Sequence, residues 1–345
     1  MKKISKTLFL TLLAVSFLSE NNTAQEYKKL AQTGFQFLSV VSDARGAAMA
    51  EAMTSLQTGS SALFFNPAGM ADMATFFDVS ASTNKWIADI NHTAFSLALN
   101  PFSGNYGVIG FSVQMVNYGD FYGTVVNRAN PQGYDDTGIF SLKALALGIG
   151  YAKQVTDRFS IGGQVKWIRQ DLGESTIPVN IRVNPINEDT RIADTATTSN
   201  KLSPFVFDFG TQFRTGIKSL VFGMSVRNFS KEVEYVDEGI QAPMVFTLGI
   251  SMDVMDLLNE LTVKQSLLVS LDASHYRDHP EQIKVGLDYK ILDVFSIRGG
   301  YISSNDESDF TYGIGITKYG FSFDYSYTPF GVFDNVQRFT ARFSL

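Results

Sequence analysis

The chain of 345 residues has no cysteine. That absence excludes a disulfide scaffold, thiolate metal sites and thiol nucleophiles. Positive charge is scarce as well. The 28 Lys and Arg face 34 Asp and Glu, a formal net charge of -6, so nothing points to a nucleic-acid surface. After residue 25 no apolar run reaches about 18 residues, and no transmembrane helix is expected there. No Gly-x-Ser-x-Gly occurs, and only 3 His are present, which leaves little material for a hydrolase.

What the chain has in quantity is Phe (29), Gly (28) and Tyr (14), more Phe than a soluble domain usually carries. Its start is patterned. "MKKISK" is basic, "TLFLTLLAVSFL" is an apolar run of about a dozen residues, too short to span a bilayer, and "SENNTAQ" is polar and small. This is the layout of a secretory signal peptide, expected over 1–24 with cleavage near Ala24–Gln25. An exported chain rich in Gly and aromatics, without a spanning helix, is a candidate outer-membrane β-barrel.

From Phe76 onward apolar and polar residues alternate. "SLKALALGIGYAKQV" puts Leu145, Leu147, Ile149 and Tyr151 on one face and Ala144, Ala146, Gly148 and Gly150 on the other. "QIKVGLDYKIL", "FSFDYSYTP" and "QRFTARFSL" repeat the pattern. Period two is the strand signature. The polar face mixes Lys, Arg and Asp with Gly. A soluble sandwich turns its charges outward, whereas a membrane barrel turns them into its lumen. Alternation alone does not separate the two; strand length, aromatic density and the N-terminus favour the barrel. Tyr151, Tyr289, Tyr301 and Tyr319, at strand ends, suit an interfacial girdle.

About fourteen such segments are expected, near 75–84, 91–99, 105–117, 139–155, 159–171, 203–215, 219–228, 244–252, 265–275, 282–292, 294–302, 309–318, 320–328 and 336–345. Tight turns such as "VTDRF" and "KYG" alternate with long loops over 116–138, 172–202 and 229–243, which is barrel topology. An even strand count puts both ends of the barrel on the short-turn side. Segment 253–265 reads as one to three turns of amphipathic helix, with Met255, Leu258 and Leu261 on one stripe. The lumen charges would be Lys143, Lys166, Asp208, Arg227, Asp272, Lys284, Asp288, Lys290, Arg298, Asp324 and Arg342. Their mixed signs suit a network that holds a plug better than a pore selective for one charge.

Residues 25–74 do not alternate. They carry Ala-rich helical stretches broken by Gly34 and Gly46, and the simplest fate for them is a plug in the lumen. The division is then a signal peptide 1–24, a plug 25–74 and a barrel 75–345. In "SALFFNPAGMAD" Pro67 restricts Asn66 to extended geometry, and the Asn66 side chain can turn back to a nearby amide. Gly69 permits close backbone approach, and Phe64 and Phe65 would fill the space between plug and wall. The same residues also read as a plain turn that ends the plug. Asp43 and Arg45 read either as a solvated pair at a helix start or, inside a lumen, as partners of Arg298, Asp288 or Lys284.

"DARGAAMAEAMTSLQTGSSALFFNPAGMADM", residues 43–73, resembles the N-terminal signature of FadL-like outer-membrane proteins, and more closely the PorV/PorQ branch of that group. The resemblance implies a fourteen-stranded FadL-like barrel with an N-terminal plug. It makes Asn66, Pro67, Ala68 and Gly69 the plug-to-wall turn and Asp43 and Arg45 an internal anchor. For the PorV/PorQ branch it implies a role in type IX secretion, binding secreted cargo C-terminal domains or other type IX components. For FadL-like members at large it implies passage of hydrophobic small molecules. Outer-membrane lipid is the expected surroundings, and no cofactor or nucleic-acid partner is implied.

Two clusters remain. "HYRDHPE" holds His275 and His279 with Asp278 and Glu281, a metal-like set, but Pro280 ends any helix that would place both His on one face. "SSNDESDF" gathers Asp306, Glu307 and Asp309, which could hold Ca²⁺ weakly but read more simply as a solvated loop tip. His275 with Asp278 is the one candidate pair for catalysis, and a non-enzymatic protein is expected.

Overall fold

The computed structural model describes residues 33–126, 130–183, 191–235, 238–258, 264–305, 308–333 and 335–345. The expected signal peptide and residues 25–32 lie outside the described residues, as do Asp306 and Glu307. Seventeen strands follow in order: β1 (Phe77–Lys85), β2 (Asn91–Leu99), β3 (Val108–Val126), β4 (Tyr134–Thr156), β5 (Phe159–Val183), β6 (Arg191–Leu202), β7 (Phe205–Arg214), β8 (Val221–Ser230), β9 (Val233–Tyr235), β10 (Glu238–Ile240), β11 (Val245–Asp253), β12 (Gln265–Tyr276), β13 (Gln282–Ile291), β14 (Phe295–Ile302), β15 (Phe310–Lys318), β16 (Phe321–Thr328) and β17 (Val336–Ser344).

The ring follows from the pairing. Each strand binds its sequence neighbour antiparallel, except that β5 pairs β7 past β6 and β8 pairs β11 across the small β9–β10 ribbon. β1 pairs β17, and β4–β5 completes a closed barrel of fourteen strands, with β6 standing outside the circuit. Closure leaves the wall without an open edge, which is the condition for a sheet to stand in hydrocarbon. Phe77 and Leu345 exchange both backbone hydrogen bonds, so the barrel starts and ends at the short-turn end.

Alternation sets the faces. On β4, Leu147, Ile149 and Tyr151 point out and are exposed, while Ala144, Ala146 and Ala152 are buried. Phe209, Phe222, Leu248, Leu287, Ile297, Ile314, Phe323 and Phe339 continue the outer apolar band around the wall. Apolar side chains outside and charged ones inside invert the arrangement of a soluble protein and match a barrel in lipid.

Three expectations change. The loops placed over 116–138 and 172–202 are in large part strand: β3 with β4, and β5 with β6, run on as two long hairpins. Gly and Asp there suggest turns, but bulges at Asn117/Asp120 and Gly123/Thr124 absorb them while Tyr122, Val125 and Val126 keep pairing. β6 and β7 form one line interrupted at Ser203–Pro204, since β5 pairs Leu202 through Gln170 and Phe205 through Trp167. The helix expected over 253–265 is only a 3-10 turn, Val254–Leu257. Asp253 caps it and also accepts from the Leu267 amide, 3.0 Å away, which draws the chain straight into β12. Leu261 falls outside the described residues.

Residues 33–74 lie within the ring. The segment begins at the long-loop end, where Thr33 bridges Gln241, and leaves at the short-turn end, where the Asn100 side chain donates to the Met73 carbonyl. It holds one short helix, α1 (Ala44–Ala48), and 3-10 turns at Gln36–Ser39, Gly59–Phe64 and Pro67–Met70. Gly46 sits inside α1 rather than breaking a helix, because the Phe65 ring covers the space its Cβ would need. Val41, Ala47, Met49, Met53, Leu56 and Phe65 form the segment's own apolar cluster.

Candidate functional site: the lumen and the wall beside Asn66

α1 starts where Asp43 caps it, accepting from the Gly46 amide at 2.7 Å. This local bond takes the carboxylate away from the wall cations expected to pair with it. Arg45 does reach the wall: its Nη2 lies 3.1 Å from Asp288 Oδ2. Asp288 also holds Arg298 at 3.1 Å, and Arg298 holds Asp324 at 2.5 Å, so four charges of alternating sign run from the segment along β13, β14 and β16. The Ala44 amide donates to Thr340 and the Ala50 amide to Thr311, which fastens both ends of the helix region to the wall.

Most other inward charges are partnered locally. Lys166 and Asp208 are 2.8 Å apart, and Lys284 donates to Glu51 at 2.6 Å. Asp272 accepts from the Thr54 amide, and Arg342 pairs with Asp78 at 2.6 Å. Lys290 is half-buried on β13. Lys143 differs from expectation. It stands on the outer face of β4 opposite Asp171, exposed, because it shares parity with Leu145 and Leu147 rather than with Ala144. Glu51, Asp78, Asp72 and Arg214 belong to the network and were not singled out in the sequence. Asp72 binds Arg214 at the short-turn end.

The Asn-Pro-Ala-Gly turn is built as its residues dictate. Asn66 is extended, with φ -145 and ψ 106, and its Oδ1 accepts from the Ala68 amide at 3.1 Å. Its Nδ2 donates to the Thr54 carbonyl at 2.7 Å and the Thr211 carbonyl of β7 at 3.1 Å. The glycine that allows contact with the wall is chiefly the wall's own. A Cβ at Gly162 would enter the Pro67–Ala68 backbone, and one at Gly210 would meet the Asn66 side chain. Gly69 instead accommodates the Leu56 carbonyl within the segment. Phe65 is buried in that segment's cluster, while Phe64 is half-buried, and its carbonyl accepts from Arg227.

The wall is irregular where Arg227 reaches the Phe64 carbonyl. Between β7 and β8 the register shifts from Phe207↔Phe229 to Phe209↔Val226, and Asn228 takes a positive φ of 58°. Arg227 keeps the inward parity of Gly223 and Ser225, and the bulge brings Asn228 inward beside it. Asp208 accepts the Asn228 amide at 2.7 Å, and Lys166 donates to the Asn228 side chain at 2.6 Å. Just below, the outer surface is dented where Gly163 faces lipid. This depression of about 400 Å³ is rimmed by Tyr151, Ile161, Phe209, Met224 and Val226. The lumen-side turn at Asn66 and the dent are separated by one layer of backbone.

The histidines of "HYRDHPE" do not converge. His275 Nδ1 lies 3.0 Å from Glu281, and His279 Nδ1 lies 2.8 Å from Asp278, each with its own carboxylate in the β12–β13 turn. Among the described residues no three His, Asp or Glu cluster in a metal-holding arrangement.

No protein-family model and no curated protein matches the chain. Solved structures do. The monoaromatic hydrocarbon channel CymD superposes with a TM-score of 0.57 at 12% identity, covering 88% of this chain and 97% of that one. The Ralstonia pickettii toluene transporter TbuX gives 0.56 at 12%, covering 88% and 98%. A Pseudomonas aeruginosa FadL homologue gives 0.55 at 14%, covering 88% and 99%. At such identities the likeness is one of architecture: the chain has the FadL-type fold, a closed antiparallel barrel of fourteen strands.

Proposed function

We propose that this protein is an outer-membrane channel for hydrophobic small molecules, in which residues 25–74 are a plug held in the barrel 75–345. The observation that carries the reading is the β7–β8 bulge beside Asn66. There the wall ladder is shifted, Arg227 ties it to the Phe64 carbonyl, and an apolar depression lies outside. A molecule entering at the long-loop end would be released sideways into the membrane at this depression once the turn at 64–69 moves. Support comes also from the fold, shared with a hydrocarbon channel and a toluene transporter. The paired, mixed-sign lumen charges fit a plug seat rather than an ion pathway. In this reading Asp43 and Arg45 hold the plug helix, and Asn66 to Gly69 are the movable contact with the wall. The protein performs no chemistry on its cargo.

A second reading, a PorV/PorQ-type component of type IX secretion, draws on the two long hairpins. Phe121, Tyr122, Val126, Ile139 and Phe140 are exposed on β3 and β4, apolar surface on which a cargo β-domain could dock. The structural neighbours lend this reading nothing. Gentle purification from native outer membrane separates the two. Retained hydrophobic compounds on a bare barrel support the channel. Co-eluting exported proteins that share one C-terminal domain would replace it with the secretion role.

A further inference from the structure

The mouth of the lumen is filled unevenly. On the side of β3, β4, β5 and β7, Phe35, Phe37 and Leu38 seal it against Val116, Ala144, Ile168 and Val206. On the opposite side, between the segment and β12 to β17, a cavity of about 330 Å³ stays open. Glu51, Lys284, Arg338, Trp86, Tyr276 and Phe330 are among its lining residues. Its volume is at the small end of ligand pockets.

Two of its three charges satisfy each other, Lys284 with Glu51 at 2.6 Å. The third touches no carboxylate; Glu51 attracts it from a distance but is already held by Lys284. Arg338 is 5% exposed, and its hydrogen bonds go to neutral groups. Nε donates to the Val41 carbonyl at 2.8 Å and Nη1 to Thr328 Oγ1 at 3.0 Å. Among the described residues no carboxylate lies within ion-pair distance of it. The guanidinium lies over the Trp86 ring, 5.5 Å from its centre, and Trp86 meets Phe330 edge-on at 4.8 Å.

A guanidinium keeps its proton at any working pH, and a buried charge calls for a counter-charge. Its flat fork matches a carboxylate in two parallel hydrogen bonds. The rings beside it offer flat apolar surface. We propose that this cavity binds a compact organic carboxylate carried on an aromatic ring, with the carboxylate on Arg338 and the ring against Trp86 and Phe330. A neutral hydrocarbon gains no charge contact with Arg338, so it would pass the cavity but bind there more weakly than the carboxylate. The inference deepens the channel reading by naming the ligand class at its mouth. It rests on that reading for passage and not for binding.

Isothermal titration of the folded full-length barrel in detergent tests it, with 2-naphthoate and its neutral counterpart 2-naphthamide as probes. The expected result is saturable binding of naphthoate about tenfold or more tighter than the amide. Arg338→Gln should bring the two affinities together. Equal affinities in the wild type, no binding of either, or a preference that survives in R338Q would overturn the proposal. Should R338Q fail to give folded barrel, Arg338→Lys keeps the charge and loses the fork; unchanged naphthoate affinity there would also overturn it. Binding without passage across the membrane would sink the channel reading and leave this one standing, whereas passage without the carboxylate preference would sink only this one.

Discussion

The Asn66 side-chain amide donates to the Thr211 carbonyl, 3.1 Å away, and so ties a turn of the N-terminal segment directly to the backbone of the barrel wall. The same nitrogen serves the Thr54 carbonyl, and the side-chain oxygen serves the Ala68 amide. Asn66→Ala removes these three contacts and a longer one to the Met224 carbonyl of β8, 3.4 Å away, from a buried site. The expected loss is about 1–3 kcal/mol of stability, from carbonyl and amide groups left unsatisfied. Because the lost contacts hold the turn to the wall, single-channel conductance should also rise. A variant of wild-type stability and conductance would show that the turn is not a fastening.

Asp288 joins two arginines from different elements, Arg45 of the segment and Arg298 of β14. Asp288→Asn leaves Arg298 with Asp324 but leaves Arg45 without a charged partner. Removing one member of a buried charge set costs about 3–5 kcal/mol. Thermal unfolding of D288N should show a loss of that order. Arg45→Met combined with Asp288→Leu should lose less than D288N alone, because no charge is then left buried unpaired. If the double variant loses more, the charges are holding the plug by strength rather than by mutual compensation.

The outer face has a boundary that two residues on one strand mark. Leu147 points into the apolar band, and Lys143, two pleat repeats higher on the same face, stands beside Asp171, Arg169 and Lys201 at its polar rim. Leu147→Arg should cost about 2–4 kcal/mol of folding in lipid, and Lys143→Leu should be close to neutral. Heat-modified mobility of the refolded barrels in vesicles reads both. Equal yields of folded barrel for L147R and wild type would contradict the facing assigned to β4.

The mouth is tied down by a carboxylate. Gln36 Nε2 donates to Asp278 Oδ2 at 2.6 Å, and His279 sits 2.8 Å from the other oxygen. Burial alone would raise the Asp278 pKa, but the hydrogen bonds from His279 and Gln36 outweigh it and hold the carboxyl below its ordinary range. For a depressed carboxyl, the stabilisation is complete above the unfolded value of about 3.9 and is lost as pH falls through the lower folded value. Between pH 7 and 5 the tether should therefore hold. Spin labels at Ser39 and Val332 should report one unchanged distance over that range, and Asp278→Ala should broaden it. Widening in the wild type at pH 5 would contradict the tether.

Much of the wall was legible because its residues obey a local rule. The 91–99 strand has the boundaries expected from alternation, and β12 to β17 depart from theirs by a residue or two. The long hairpins were not legible, since Gly119, Gly123 and Gly138 are turn residues by type, and only the pairing of β3 with β4 around them overrides that. Parity places most lumen charges inside, and it also puts Lys143, in step with Leu145 and Leu147, on the outer face, against the expectation that it lines the lumen. The Arg45–Asp288 bond spans 243 residues, and no local pattern specifies such a partner. Asn66 and its turn were readable as local chemistry. The wall glycines that receive it, Gly162 and Gly210, carry no local sign of what they face. Arg338 shares parity with Arg342, yet its lack of a carboxylate emerges only once the lumen is assembled.

The central claim, release of a hydrophobic molecule through the wall at the Gly163 dent, is tested most directly by uptake. Intact cells that lack such channels would be given labelled toluene, with the wild-type barrel or Gly163→Leu in the outer membrane. A Cβ added there meets only ordinary contacts, the nearest being Asp208 O at 3.4 Å, so a Leu side chain starts without a clash and projects into the dent. The account predicts faster uptake with the wild type than with no barrel, and a return toward background with G163L at equal folded-barrel levels. Wild-type uptake no faster than background, or undiminished uptake with G163L, would contradict it.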